Sequence, residues 1–218
     1  YELANLAYGA MQAGTLLSPR LAPQLPGVGL LDAIAEGDIV ANASAQARAH
    51  TEAGSPVRGQ VNRVRDAYSG ELRVGRFGWK ANVPTLVHQT AGAFLGDMGI
   101  TSRWFPDEAC TPKQKDCLAS PRGGPQGDEG KGPEIDDTTL SHVVFYESTL
   151  APAARRGARE PEVLQGQKLF AAAQCAVCHR PSYVTAQAPF PALSSPKVAG
   201  VTIWPYTDLL LHDMGEAL

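Results

Sequence analysis

At 218 residues the chain is long enough to bury a substantial core, as one large domain or two small ones. Its composition is that of an ordinary globular protein, 44% hydrophobic and 19% charged with a net charge of −3. That slightly acidic balance, without a basic run or stripe, argues against a nucleic-acid partner. No apolar stretch approaches the roughly 20 residues that a membrane span requires.

Taken in chain order, residues 3–14 read as a short helix. Pro23 and Pro26 lead into an apolar stretch from Val28 to Val40 with helical spacing at Leu30, Leu31, Ile34 and Ile39. Residues 41–56 are small and polar. From Gln60 to Phe77 the period shortens to two around Ser69-Gly70, which predicts a β-hairpin. A helix is expected from about Pro84 to Met98, since proline suits a first helical turn. Residues 106–137, rich in Pro, Gly, Asp and Lys, read as a linker. Helices are expected again at about Thr138 to Leu150 and Pro161 to Gln174. An irregular, proline-rich stretch runs to Pro205, and the closing "YTDLLLHDMGEAL" reads as a helix or tight turn. Leu95–Gly99 (LGDMG) echoes Leu211–Gly215 (LHDMG), but "RGQVNRV" stands where a duplicated copy of the motif below would fall.

Four cysteines occur in two pairs. Cys110 and Cys117 close an eight-residue polar loop, "CTPKQKDC", too polar to bury free thiols. A disulfide is expected there, which belongs in an oxidising compartment. Cys175, Cys178 and His179 form "CAVCH", the attachment sequence of c-type haem. Two thioethers from one turn reach one edge of the macrocycle, and the next residue puts its imidazole under the iron. Structural zinc and a redox dithiol are the competing readings. Zinc needs a second ligand pair, and Cys110/Cys117 lack the usual spacing. A dithiol of the thioredoxin kind needs a βαβ context. Upstream, Gly166, Leu169 and Phe170 lie on the helix leading to Cys175, where Phe170 can cover a haem edge.

The sixth iron position has three candidates: Met214, His212 and Tyr206. Methionine raises the reduction potential and suits electron transfer; a second histidine lowers it. His212 and Met214 are two apart and cannot both face one iron from a helix. Met214 is the preferred ligand, with His212 the alternative and Tyr206 a further haem-pocket residue.

Three stretches carry a family resemblance. "FYESTLAPAARR" from Phe145, followed by "GQKLFAAAQCAVCH", resembles the C-terminal haem domain of bacterial di-haem cytochrome c peroxidases. "KVAGVTIWPYTDLLLHDMGEAL" from Lys197 is similar to the related di-haem oxidoreductases, some labelled thiol oxidoreductases. "WKANVPTLVHQTAGAFLGDMG" from Trp79 resembles the end of the N-terminal haem domain of that fold. The resemblance implies a mainly α fold: a cytochrome c-type haem domain, a partial second related domain, a small β-hairpin and long loops. Residues 1–137 would then be the remainder of the N-terminal domain, without a haem motif, and residues 138–218 the C-terminal cytochrome c domain, apparently truncated.

The same resemblance implies a periplasmic (or extracellular) di-haem oxidoreductase. Electrons would arrive at the haem on Cys175, Cys178 and His179 and pass to a second haem c, where peroxide or another small molecule reacts. The alternative is an electron-transfer cytochrome with a six-coordinate His/Met iron. Only one Cys-x-x-Cys-His is present, so a second haem is expected in a longer protein of which this chain is a piece, with Met98 or His88 as its ligand. Trp79 and Trp104 are candidates near the domain boundary. An electron donor such as a small cytochrome or cupredoxin is the expected partner. The family often holds Ca2+ between its domains, but no acidic cluster here spells such a loop. No acid–base residue can be assigned.

Overall fold

A computed structural model of the chain describes residues 3–125 and 131–215. Its regular structure is mainly helical, with two small two-stranded sheets and long loops. Helix α1 spans Val28–Asp32 and α2 Glu36–Ala53. The strands of a hairpin follow, β1 Arg63–Arg65 and β2 Leu72–Val74, paired antiparallel with Val64 opposite Arg73. Next come α3 Leu86–Met98, α4 Lys115–Ala119, α5 Asp137–Thr149 and α6 Pro161–Ala172. Two-residue strands β3 (Tyr183–Val184) and β4 (Thr202–Ile203) form the second antiparallel sheet.

The chain divides into two compact units. The larger comprises Gln24–Gln89 and Ser141–His212; the smaller comprises Tyr1–Pro23, Thr90–Leu140 and Asp213–Leu218. The larger unit is built on Ile34, Ile39, Val74, Tyr183, Ile203 and Leu209, with Leu30, Leu31, Val40, Val61 and Leu210 packed around them. Residues distant in sequence meet there, so α2, the hairpin and the segment around β3 and β4 share one core. Helices α1 and α5 approach closely at Gly29, where a Cβ would stand 2.1 Å from the Ser148 carbonyl oxygen. Arg76 closes the C-terminal end of α1, donating from one guanidinium nitrogen to the carbonyls of Leu31, Asp32 and Ile34 at 3.1, 2.8 and 2.7 Å. Leu31 and Asp32 are the last residues of α1, whose carbonyls run out of i+4 partners, and Ile34 lies two residues beyond it.

In the smaller unit, Glu134 staples its own segment to Thr101. Its carboxylate accepts from the Thr101 N–H at 2.9 Å and the Thr101 hydroxyl at 3.1 Å. Cys110 and Cys117 form the expected disulfide, 5.8 Å apart at Cα. The presumed linker is therefore not featureless: it contains the cross-link and the short α4, although residues 126–130 lie outside the described residues.

Several expected elements change. Residues 3–14 form no helix; turns at Ala7–Tyr8 and Ala13–Gly14 interrupt an exposed, extended segment. A helix that short is marginal without a face to pack on, and Gly9 and Gly14 take positive φ. The stretch 41–53, read as small and polar, is helix α2. Its alanines are strong helix formers whatever their low hydrophobicity. The closing segment is not a helix over residues 206–215 but an irregular run with positive φ at Tyr206 and Leu209, bridged from Leu211 to Gln60. Its last three residues lie outside the described ones.

Candidate functional site

Helix α6 begins at Pro161, with Glu162 in the first turn where an acid favours the helix dipole. Every residue of α6 is exposed or half-buried, although Val163, Leu164, Leu169 and Phe170 are apolar. Gln174, at φ 61°, then reverses the chain into a single tight turn, Cys175–Val177, and His179 follows. The His179 N–H donates to the Cys175 carbonyl at 2.9 Å, so the two cysteines and the histidine form one compact turn. Both thiols are free and half-buried.

Beside this turn is a cavity of about 490 Å3, within the range of cofactor sites. Val163, Phe170, Ala171, Ala176, Trp204 and Tyr206 give it an apolar wall. Phe170 and Tyr206 stand edge to face with ring centres 5.5 Å apart, and Phe170 is 6.3 Å from the His179 ring. The exposed apolar face of α6 and this cavity are one feature: the helix contributes Val163, Gly166, Gln167, Phe170 and Ala171 to a space that no side chain of the unit fills.

The histidine is fixed by its own hydrogen bond. His179 Nδ1 lies 3.1 Å from the Tyr206 carbonyl oxygen. A carbonyl only accepts, so Nδ1 carries the proton and Nε2 keeps a lone pair. This is the tautomer and the outer-sphere support of a metal-ligating imidazole.

Three buried residues outside the sequence-based candidates, Asn42, Gln46 and Asp208, hold the turn from behind. Asn42 and Gln46 lie one helical turn apart on α2, on the face that also buries Ile39. Gln46 Nε2 donates to the Val177 carbonyl at 2.9 Å and to Asp208 Oδ2 at 2.7 Å, while its Oε1 accepts from the Gly59 N–H at 2.6 Å. The Asp208 N–H donates to the Cys178 carbonyl at 3.1 Å. Asn42 donates to the Tyr183 hydroxyl and the Asp208 carbonyl, and accepts from Arg180, whose guanidinium lies 4.5 Å over the Tyr183 ring. The signal for Asn42 and Gln46 was their i, i+4 spacing on the helix face that buries Ile39.

Of the distal candidates, His212 is half-buried and its Nε2 contacts Asp208 Oδ2 at 2.8 Å. Met214 is 66% exposed and falls in the smaller unit. Tyr206 is in the cavity wall. Met98 is exposed at the end of α3. His88 is half-buried beside the hairpin, where its Nδ1 accepts from the Ala67 N–H at 3.1 Å. Asp66 Oδ1 is 3.5 Å from the same nitrogen. Trp79 is exposed, and Trp104 is half-buried under the Arg103 guanidinium.

The donor chemistry separates the competing readings of the motif. Burial pushes the Cys178 thiol above its ordinary range, and the Asp208 carboxylate adds to the effect. A reactive dithiol needs the opposite shift. Among the described residues no three His, Cys, Asp or Glu side chains converge as a zinc cage would require. A planar apolar macrocycle bonded through both sulfurs fits the free cysteines, the lone pair on Nε2 and the unfilled cavity.

The turn and the cavity beside it can accommodate a haem. The chain belongs to the family described as "Di-haem oxidoreductase, putative peroxidase", whose model matches residues 4–218. Haem is the cofactor of that family, and the resemblance drawn from the sequence holds. No curated protein matches the chain, and no solved structure does. No described helix is long and apolar enough to cross a membrane.

Proposed function

We propose that the chain carries one covalent haem c of a di-haem, peroxidase-like oxidoreductase of the bacterial periplasm. Cys175 and Cys178 supply the thioether sulfurs, and His179 ligates the iron through Nε2. The haem-bearing cytochrome c part is residues 138–218, supported from behind by α2. When bound, the group supplies one-electron chemistry. The protein's part is to bind, orient and shield it: Phe170 and Tyr206 would exclude water from its face, and the Tyr206 carbonyl fixes the orientation of the imidazole.

Met214 is the preferred sixth ligand and His212 the alternative. The Asp208 contact commits His212 Nε2, which supports methionine. A small cytochrome or cupredoxin would be the electron donor, and Met98 or His88 would hold a second haem, which would supply the redox chemistry toward peroxide or another small molecule. The disulfide Cys110–Cys117 supports an oxidising compartment.

The observation that carries this reading is the Cys-Ala-Val-Cys-His turn with a free imidazole lone pair at the edge of an apolar cavity. The test is expression in a host with the c-type haem maturation system. A mass gain of one haem, resistant to acid–acetone extraction, and a reduced c-type spectrum are expected. Cys175→Ala should retain a single thioether with a red-shifted α band, and His179→Ala should lose the low-spin spectrum. A colourless wild-type chain with two titratable thiols would end the proposal.

A further inference from the structure

The haem cavity has one charged side chain among its described walls, Arg155. Its guanidinium is not loose: it stacks 4.7 Å over the Trp204 ring, and Trp204 is itself a wall of the cavity. Among the described residues no carboxylate pairs with Arg155. A stacked guanidinium loses little further freedom on binding, and its donor fork matches a carboxylate with two parallel hydrogen bonds. Gln167, half-buried on the facing helix α6, adds a neutral polar group to the same wall. The rest is apolar, except for the Tyr206 hydroxyl, the Trp204 indole N–H and the chain's own backbone.

From this placement we infer that Arg155 is the side chain that holds a carboxylate of the macrocycle, and so sets the charge at the mouth of the site. The inference rests on the haem reading above and adds to it a ligand subsite: a porphyrin propionate on a guanidinium preformed by Trp204. A cationic fork in an otherwise apolar cavity has a defined consequence. It favours the ionised carboxylate and holds it ionised to lower pH than an unpaired one. Loss of that negative charge on acidification raises the midpoint potential, so the pH at which the potential bends reports the carboxylate.

The test is potentiometry of the holoprotein, wild type, Arg155→Met and Arg155→Lys, from pH 5 to 9. Because Arg155 is exposed, the low end of the usual one-to-three-unit effect of a neighbouring opposite charge applies. Arg155→Met should move the bend upward by about one pH unit, or create one where the wild type shows none. Arg155→Lys, which keeps the charge and loses the fork, should fall between. The Soret absorbance per chain should stay unchanged, since attachment is through the sulfurs. Parallel curves differing only by a constant offset, or curves without a bend in any of the three, would overturn the carboxylate assignment and leave the haem reading standing. A wild-type chain without covalent haem would overturn both.

Discussion

Gln46 is the residue whose replacement tests the clamp behind the haem turn most directly. Methionine has nearly the same length and volume, so Gln46→Met removes the amide and leaves the packing. Three partners lose their bond: the Val177 carbonyl, Asp208 Oδ2 and the Gly59 N–H. A buried polar group left unpaired costs about 1–3 kcal/mol. Two of the three border a cleft of about 320 Å3 lined by Asn42, Gln46, Val177, Arg180 and Asp208, where water can substitute in part. Asp208 also keeps its bonds from Leu210 N and His212. Gly59 is not among the residues lining that cleft. The sum comes to about 3 kcal/mol, or about 6–12 °C in Tm for a chain of this size. Calorimetry of the holoprotein reads the shift, and the yield of covalent haem reads whether the turn is still presented correctly. Gln46→Glu should be worse than Met, because it sets a second carboxylate against Asp208. A Tm within about 2 °C of wild type, or a glutamate better tolerated than methionine, would refute the clamp.

Asp32 is buried, and burial pushes its carboxyl up to about 6, against the pull of Arg76 and the hydrogen bond from the Leu86 N–H. The folded chain thus holds this proton to a higher pH than the unfolded chain does, so stability falls as pH rises from about 4 to 6 and is level above. Asp32→Asn keeps the acceptor for Leu86; its denaturation free energy relative to wild type should grow by about 3 kcal/mol across that window. A constant difference from pH 4 to 8 would contradict this. Replacing Cys110 and Cys117 with serine opens an eight-residue loop and should cost about 2.5 kcal/mol in the smaller unit, seen as faster proteolysis between residues 100 and 125. Gln174→Gly should stabilise by about 0.5–1 kcal/mol in urea titration, since its backbone is left-handed at φ 61° and its side chain is exposed.

The Cys175–His179 turn proposed as the attachment site was legible in the sequence because it is local: five adjacent residues make the motif, and the chain needs nothing distant to reveal them. The hairpin, α3, α5 and α6 were legible for the same reason, each declared by its own periodicity or by proline. The supports were not. Asn42 and Gln46 sit in a stretch whose alanines hide an 18-residue helix from any hydrophobic count. Asp208 is meaningful only once the closing segment is seen to be irregular rather than helical, because its N–H reaches Cys178 from thirty residues away in sequence. Residues 3–14 show the converse: an apolar periodic pattern with no face to pack on does not make a helix.

Backbone strain and missing burial meet at the same place, and each explains the other. Of the described non-glycine residues, five have positive φ, and three of them, Gln174, Tyr206 and Leu209, flank the attachment turn. Such conformations cost of order 1 kcal/mol each and persist only where the surroundings over-determine them. Here the surroundings are the hydrogen bonds. Within three residues the closing segment must give its Tyr206 carbonyl to His179 and its Asp208 N–H to Cys178, then pair Leu211 with Gln60. A relaxed strand or helix offers its groups at regular intervals and cannot meet those positions. The opposite wall, α6, carries little burial of its own. One side of the cavity is thus fixed by hydrogen-bonded backbone with positive φ at Tyr206 and Leu209, and the other is a helix whose apolar face lines the space. A ligand bonded to the turn, as proposed for Cys175 and Cys178, would cover that face permanently, so attachment would serve the fold as well as the chemistry.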